Sequence, residues 1–224
     1  MRILWKPRVS NKEESDKLLE RRRNLLTAFG SLVPTILLLI VDLIVGDEKL
    51  FTIINQGIIN PVMDFACTYL SPILFCIFYI LTLTSLLFSK KEMLRLVAVL
   101  SIANGALSYF IGSIIKNIVQ RPRPEILAAS RVLFEARVIG FWHTSTFSLP
   151  STTTALALGL ALPILFEKRL AGAVLVMLSY FMGFSVIYTG FHFPLDVVSG
   201  ALLSFALTLF ANWVKNYLIK IFSK

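Results

Sequence analysis

The stretch MLRLVAVLSIANGALSYFIGSIIKNIVQRPRP, Met93 to Pro124, joins an apolar run long enough to cross a bilayer to a knot of cations and prolines. About 20 consecutive apolar residues span the hydrocarbon layer, so Met93 to Val119 reads as a membrane helix. Pro122 and Pro124 then break that helix, and Arg123 turns back instead of continuing the spiral. A planar guanidinium donates two hydrogen bonds at once to a phosphate, and a lysine supplies a compact charge. Lys116 with Arg123 therefore reads as an anion site at the end of a membrane helix. For Arg121 and Arg131 the preferred reading is blander: long cationic side chains reaching lipid headgroups.

Working outward, five more apolar segments fall at Leu25 to Val45, Val62 to Phe88, Leu149 to Phe166, Ala171 to Tyr188 and Val197 to Val214. With 56% hydrophobic residues, 16% charged residues and a mean hydropathy of +0.77, an ordinary soluble domain is excluded. The expected fold is all-α: a polytopic membrane protein with six transmembrane helices in one domain. Residues 1–24 form a basic cytoplasmic segment, 25–214 the membrane domain and 215–224 a cytoplasmic tail. The first apolar segment is too long for a signal-peptide core and lacks a small-residue cleavage pattern, so it reads as a retained helix. Cys67 and Cys76 lie nine residues apart on one helix and point to opposite sides, so they cannot bridge.

Sixteen of the 22 Lys and Arg residues fall on the side of the N-terminus. The positive-inside rule then puts both termini in the cytoplasm of a multi-pass cell-membrane protein. The net charge of +9 is met by anionic headgroups rather than by nucleic acid. Asp47 to Asn60 reads either as a helix lying in the outer interface or as a surface loop. Asp42 and Asp64 fall near outer helix ends, where solvated carboxylates are expected.

On this topology three clusters share the non-cytoplasmic face: KNIVQRPRP (Lys116 to Pro124), FSLPSTT (Phe147 to Thr153) and YTGFHFPLD (Tyr188 to Asp196). Pro150 and Ser151 open the fourth helix, whose free amides and positive dipole end face outward; Ser151 either caps it or helps bind a phosphate. His192 precedes Pro194, a fitting first-turn residue, and Asp196 follows His192 by four. The carboxylate would fix the imidazole tautomer and stabilise its positive charge as the other nitrogen attacks phosphorus.

These residues resemble the type 2 phosphatidic acid phosphatase (PAP2) family of six-helix membrane lipid phosphatases. The family's Lys, six residues, Arg-Pro is met by Lys116 to Pro124, and its third motif by Ser185, Val186, His192 and Asp196 in register. Its Pro-Ser-Gly-His reads here Pro150, Ser151, Thr152, Thr153. The resemblance implies His192 and Asp196 as catalytic residues, a phosphate held by Lys116, Arg123, Ser151, Thr152 and Thr153, a phosphohistidine intermediate, and no cofactor. Thr153 stands where the family has its proton-donating histidine, and Val186 where it has a phosphate-clamping arginine.

Three accounts of those departures are open. His143, the only other histidine, supplies the acid, with Arg131 or Arg137 replacing the clamp. Alternatively the substrate is a polyprenyl or other lipid diphosphate, whose leaving phosphate monoester, with a second pKa near ~6, needs less protonation. In the third account the chain binds or moves phosphorylated lipids without turnover. Water as acceptor makes a phosphatase, an alcohol a phosphotransferase. Two distant histidines and scattered carboxylates lack metal-ligand spacing. The expected partners are a phosphorylated lipid substrate and the surrounding membrane lipids.

Overall fold

The computed structural model describes residues 11–130, 134–140 and 147–222. Helices appear at each expected apolar segment. Helix α1 (Asn11–Val45) is followed by α2 (Asp47–Gly57) and by α3 (Pro61–Phe65). A π-helical turn (Ala66–Leu70) runs on from α3 into α4 (Ser71–Leu87). Then come α5 (Glu92–Val119), the short α6 (Pro124–Ser130), α7 (Thr152–Glu167), α8 (Arg169–Tyr188) and α9 (Pro194–Phe222). Helices α1 and α9 run through the sequence boundaries at residues 24 and 214 without a break.

Among the described residues, four helical stretches are long and apolar enough to cross a membrane: Pro61–Leu87, Glu92–Val119, Arg169–Tyr188 and Pro194–Val214. Phe29–Val45 joins α2 through a 105° bend. The bend falls at Gly46, whose φ of +90° is a conformation that side chains with a Cβ rarely adopt. Helix α7 is apolar but only 16 residues long. Leu43, Ile44, Phe110 and Ile118 are exposed around the bundle, as expected of side chains that meet lipid.

Helix α7 is the axle of the fold and packs against α5, α8 and α9; α4 lies on α8, and α1 on α9. It is apolar nearly all round, the signature of a helix surrounded by protein. Ala155, Leu158, Ala161, Leu162 and Ile164 are fully buried. A second apolar cluster seats α2. Phe51, wholly buried, meets Phe193 at 5.3 Å and Phe134 at 5.8 Å between ring centroids. Of the two readings for Asp47 to Asn60, the helix holds, and its buried face lies on protein. Cys67 is buried and Cys76 exposed, both as free thiols.

Candidate active site

Helix α5 ends one turn after Lys116. Gln120 takes a left-handed conformation and returns its N–H to the Lys116 carbonyl. Pro122 then pairs with Phe147, and the Ser148 N–H donates to the Arg121 carbonyl at 2.8 Å. The first cluster is thereby stitched to the second. Arg123, 2% exposed, turns inward and donates from Nη1 to the Phe191 carbonyl at 2.8 Å. This bond links the first cluster to the third.

Helix α7 begins against α9. The Ser151 N–H donates to the Asp196 carbonyl at 2.9 Å, and the Ser151 hydroxyl caps the helix by accepting from the Thr154 N–H at 3.4 Å. The contact is so close that a Cβ on Gly200 would sit 2.4 Å from the Ser151 carbonyl oxygen. Thr152 and Thr153 follow in the first turn, where backbone N–H groups have no acceptor within the helix. The Lys116 ammonium donates to the Thr152 hydroxyl at 3.4 Å.

At the end of α8 the chain folds back, with the N–H groups of Phe191 and His192 both on the Val186 carbonyl. His192 is 3% exposed, and its Nδ1 lies 3.4 Å from Asp196 Oδ2. That oxygen also accepts the Phe193 N–H at 2.8 Å, and Oδ1 accepts from Arg121 Nη1 at 2.8 Å. Burial pushes His192 down to about 4; Asp196 pulls the other way, and the charges of Arg123 and Lys116 push it further down. At neutral pH the imidazole is uncharged and retains a nucleophilic lone pair.

Lys116, Arg123, Thr152, Thr153 and His192 line a single cavity of about 630 Å³. Apolar side chains of Pro72, Tyr109, Ile139 and Met182 complete one part of its wall, and Ser113, Asn117, Ser185 and Thr189 add polar groups. Thr153 and Val186, which stand where the family motifs have histidine and arginine, both border it. Ser151 and Asp196 do not, and both are fully buried. His143 and Arg131 lie outside the described residues. Among the described residues, no group of three or more His, Cys, Asp or Glu could hold a metal ion.

Three sequence expectations are corrected. Arg121 does not reach for headgroups; it bridges Asp47 and Asp196 and lies over the Phe193 ring at 4.3 Å. Arg137 is unavailable as a clamp. Its guanidinium forks onto Asp64 at 3.0–3.1 Å and lies 5.1 Å from the Tyr188 ring centroid. Asp64 is consequently paired, also accepting the Tyr188 hydroxyl at 2.6 Å, and Asp42 is 5% exposed rather than solvated. The cations were visible in sequence, but their partners lie 73–75 residues away. The polar lining residues Ser113, Asn117 and Thr189 carried no motif signal.

The fold and cavity define a polytopic helical membrane protein with a cationic, imidazole-bearing chamber. The chain belongs to the PAP2 superfamily, whose family model matches residues 94–220, more than half of its length. It is 26% identical over 145 residues to undecaprenyl-diphosphatase BcrC of Bacillus subtilis, covering 65% of this chain and 71% of that protein. It is 35% identical over 71 residues to the bacitracin transport permease protein BcrC of Bacillus licheniformis, a match that spans 35% of that relative. Among solved structures, Aquifex aeolicus LpxE superposes with a TM-score of 0.52 at 26% identity, covering 74% of this chain and 93% of LpxE. The PAP2-type phosphatidylglycerolphosphate phosphatase of Bacillus subtilis superposes with a TM-score of 0.56, covering 86% of this chain and 97% of that one. At 16% identity that likeness speaks for the fold alone.

Proposed function

We propose that this protein is a membrane phosphatase that removes a phosphoryl group from a lipid diphosphate through a phosphohistidine on His192. The observation that carries the reading is convergence. Lys116, Arg123, Thr152 and His192 come from separate parts of the chain and line the same cavity, with Asp196 behind the imidazole.

Lys116 and Arg123 hold the non-bridging oxygens, and the amides that open α7 add two more donors. His192 Nε2 attacks phosphorus and forms the N–P bond as the P–O bond to the leaving group breaks. The electron pair departs with that oxygen. Water then attacks the phosphohistidine, the N–P bond breaks, its electrons return to Nε2, and the water proton passes to the solution. Ser151, fully buried and outside the cavity lining, serves this step by holding the start of α7 against α9.

The preference for a diphosphate rests on Thr153 and Val186. Neither gives a proton or charge to a leaving alkoxide, and a leaving phosphate monoester needs far less of both. The B. subtilis relative named as an undecaprenyl-diphosphatase supports the same substrate class. The six apolar segments support six crossings, and the distribution of Lys and Arg supports both termini in the cytoplasm and the cavity facing the other side.

The test is phosphate release in liposomes from a polyprenyl diphosphate, phosphatidic acid and lysophosphatidic acid, with His192→Ala as control. Turnover that requires His192 and ranks the diphosphate first is expected. Equal release by the His192→Ala protein would overturn the nucleophile, and a monophosphate ranked first would overturn the leaving-group argument.

A further inference from the structure

The PAP2 motifs include Arg123 but give no role to Arg121, two residues earlier, and none to Asp47 on α2. We propose that Arg121, held by Asp47, is a positioning residue that fixes the charge and orientation of Asp196 and through it the tautomer of His192. The proposal rests on the reading of His192 as nucleophile.

Pro122 stands between the two arginines, and their guanidinium groups go different ways: Arg123 borders the cavity, and Arg121 passes behind it. Arg121 Nη1 donates to Asp196 Oδ1 at 2.8 Å, Nη2 donates to Asp47 Oδ2, and the guanidinium stacks on Phe193. Asp47 has a second hold on the same region, because its Oδ1 accepts the Leu195 N–H at 3.0 Å. Phe193 is clasped from its other neighbours by Phe51 of α2 and by Phe134. The segment that carries His192 and Asp196 is thus fastened to α2 by an ion pair, a backbone hydrogen bond and an aromatic contact.

The electrostatic argument is independent of this mechanical one. Asp196 is wholly buried, and a neutral imidazole brings it no countercharge. A buried carboxylate without a cation is costly and takes up a proton. A protonated Asp196 would no longer draw Nδ1–H, and the lone pair at Nε2 would lose its fixed tautomer. Arg121 supplies the missing charge. Asp47 shares that guanidinium, with Asp42 close beside it, so one cation stands between carboxylates. Asp196 then keeps negative charge for the imidazolium that forms as the N–P bond is made.

The experiment uses the full-length protein in liposomes, with a C15 prenyl diphosphate as substrate, and compares Arg121→Ala, Arg121→Lys and Asp47→Asn. The Nδ1–H resonance of ¹⁵N-labelled His192 is recorded for each in detergent micelles. Arg121→Ala is expected to lower kcat by about 10²-fold with KM within about threefold, and to lose the Nδ1–H signal. Lysine should recover about a tenth of wild-type kcat, and Asp47→Asn should cost about tenfold. A folded Arg121→Ala protein with wild-type kcat, or with its loss confined to KM, overturns the proposal. If Arg121→Ala does not fold, Asp47→Asn decides: unchanged kcat with an unchanged Nδ1–H signal overturns it. Wild-type turnover in His192→Ala would instead defeat the nucleophile reading on which it rests.

Discussion

Behind His192 the protein has built a chain of charge, Asp196 to Arg121 to Asp47, in which one guanidinium holds two carboxylates. At Thr153 and Val186, which border the same cavity, there is a hydroxyl and a hydrocarbon. The first region is equipped to make a nucleophile and hold its positive charge. The second does little for the oxygen that leaves. On the proposed reading, the described part of the site can be this lopsided because a diphosphate's leaving group departs easily.

The sharpest way to break the comparison is His192→Ala, expected to lower phosphate release by about 10⁴-fold or more while inorganic phosphate still binds, as checked by equilibrium dialysis. Loss of phosphate binding instead would make the imidazole a ligand holder. A second probe is the protonation of His192, followed by ¹⁵N NMR. An ordinary imidazole charges as pH falls through about 6.5, but this one should stay neutral until about 4. Because burial disfavours the charged form, the stability this neutrality confers is complete above about 6.5 and is lost as pH falls through about 4. A midpoint near 6.5 in the folded protein would mean that the imidazole is not desolvated.

Re-equipping the weaker region comes next. Thr153→His with Val186→Arg should raise turnover of phosphatidic acid by about 10²-fold and change that of a diphosphate by less than about threefold. Equal gains for both substrates would remove the leaving group as the reason for the asymmetry. The smallest expected effect is that of Ser151→Ala. Removing the cap should cost about 1 kcal/mol of stability, read as a lower Tm, with kcat within about threefold. A large drop in kcat at unchanged Tm would instead give the Ser151 hydroxyl a direct hold on phosphate.

Much of the first region and little of its wiring could be read from the chain. Helix positions were legible because an uninterrupted apolar run has few alternatives in a membrane. The nearness of His192 to Asp196 was legible from their spacing of four, although His192 precedes α9 and reaches the carboxylate from the loop at 3.4 Å. Arg121 was misread because its destination depends on Asp47, 74 residues earlier, and on the bend at Gly46 that brings α2 over the loop. Arg137 is a parallel case. The fork onto Asp64 joins residues 73 apart, and neither carries a local signal for the other. Local spacing reveals pairs within a turn, and it is silent on which of several cations a distant carboxylate will claim.

Helix α7 carries one more consequence. At 16 residues it is roughly 24 Å long, against a hydrocarbon layer of about 30 Å, and its first turn is where the cavity begins. Where the longer helices around it set the level of the bilayer, a helix this short starts below the headgroups, at a depth normally occupied by acyl chains. On the proposed reading a lipid headgroup would sink to react, and the water that completes turnover would follow it down. Catalysis then has a mechanical input unrelated to any side chain: a thicker membrane deepens the well, and a thinner one brings its floor nearer the surface.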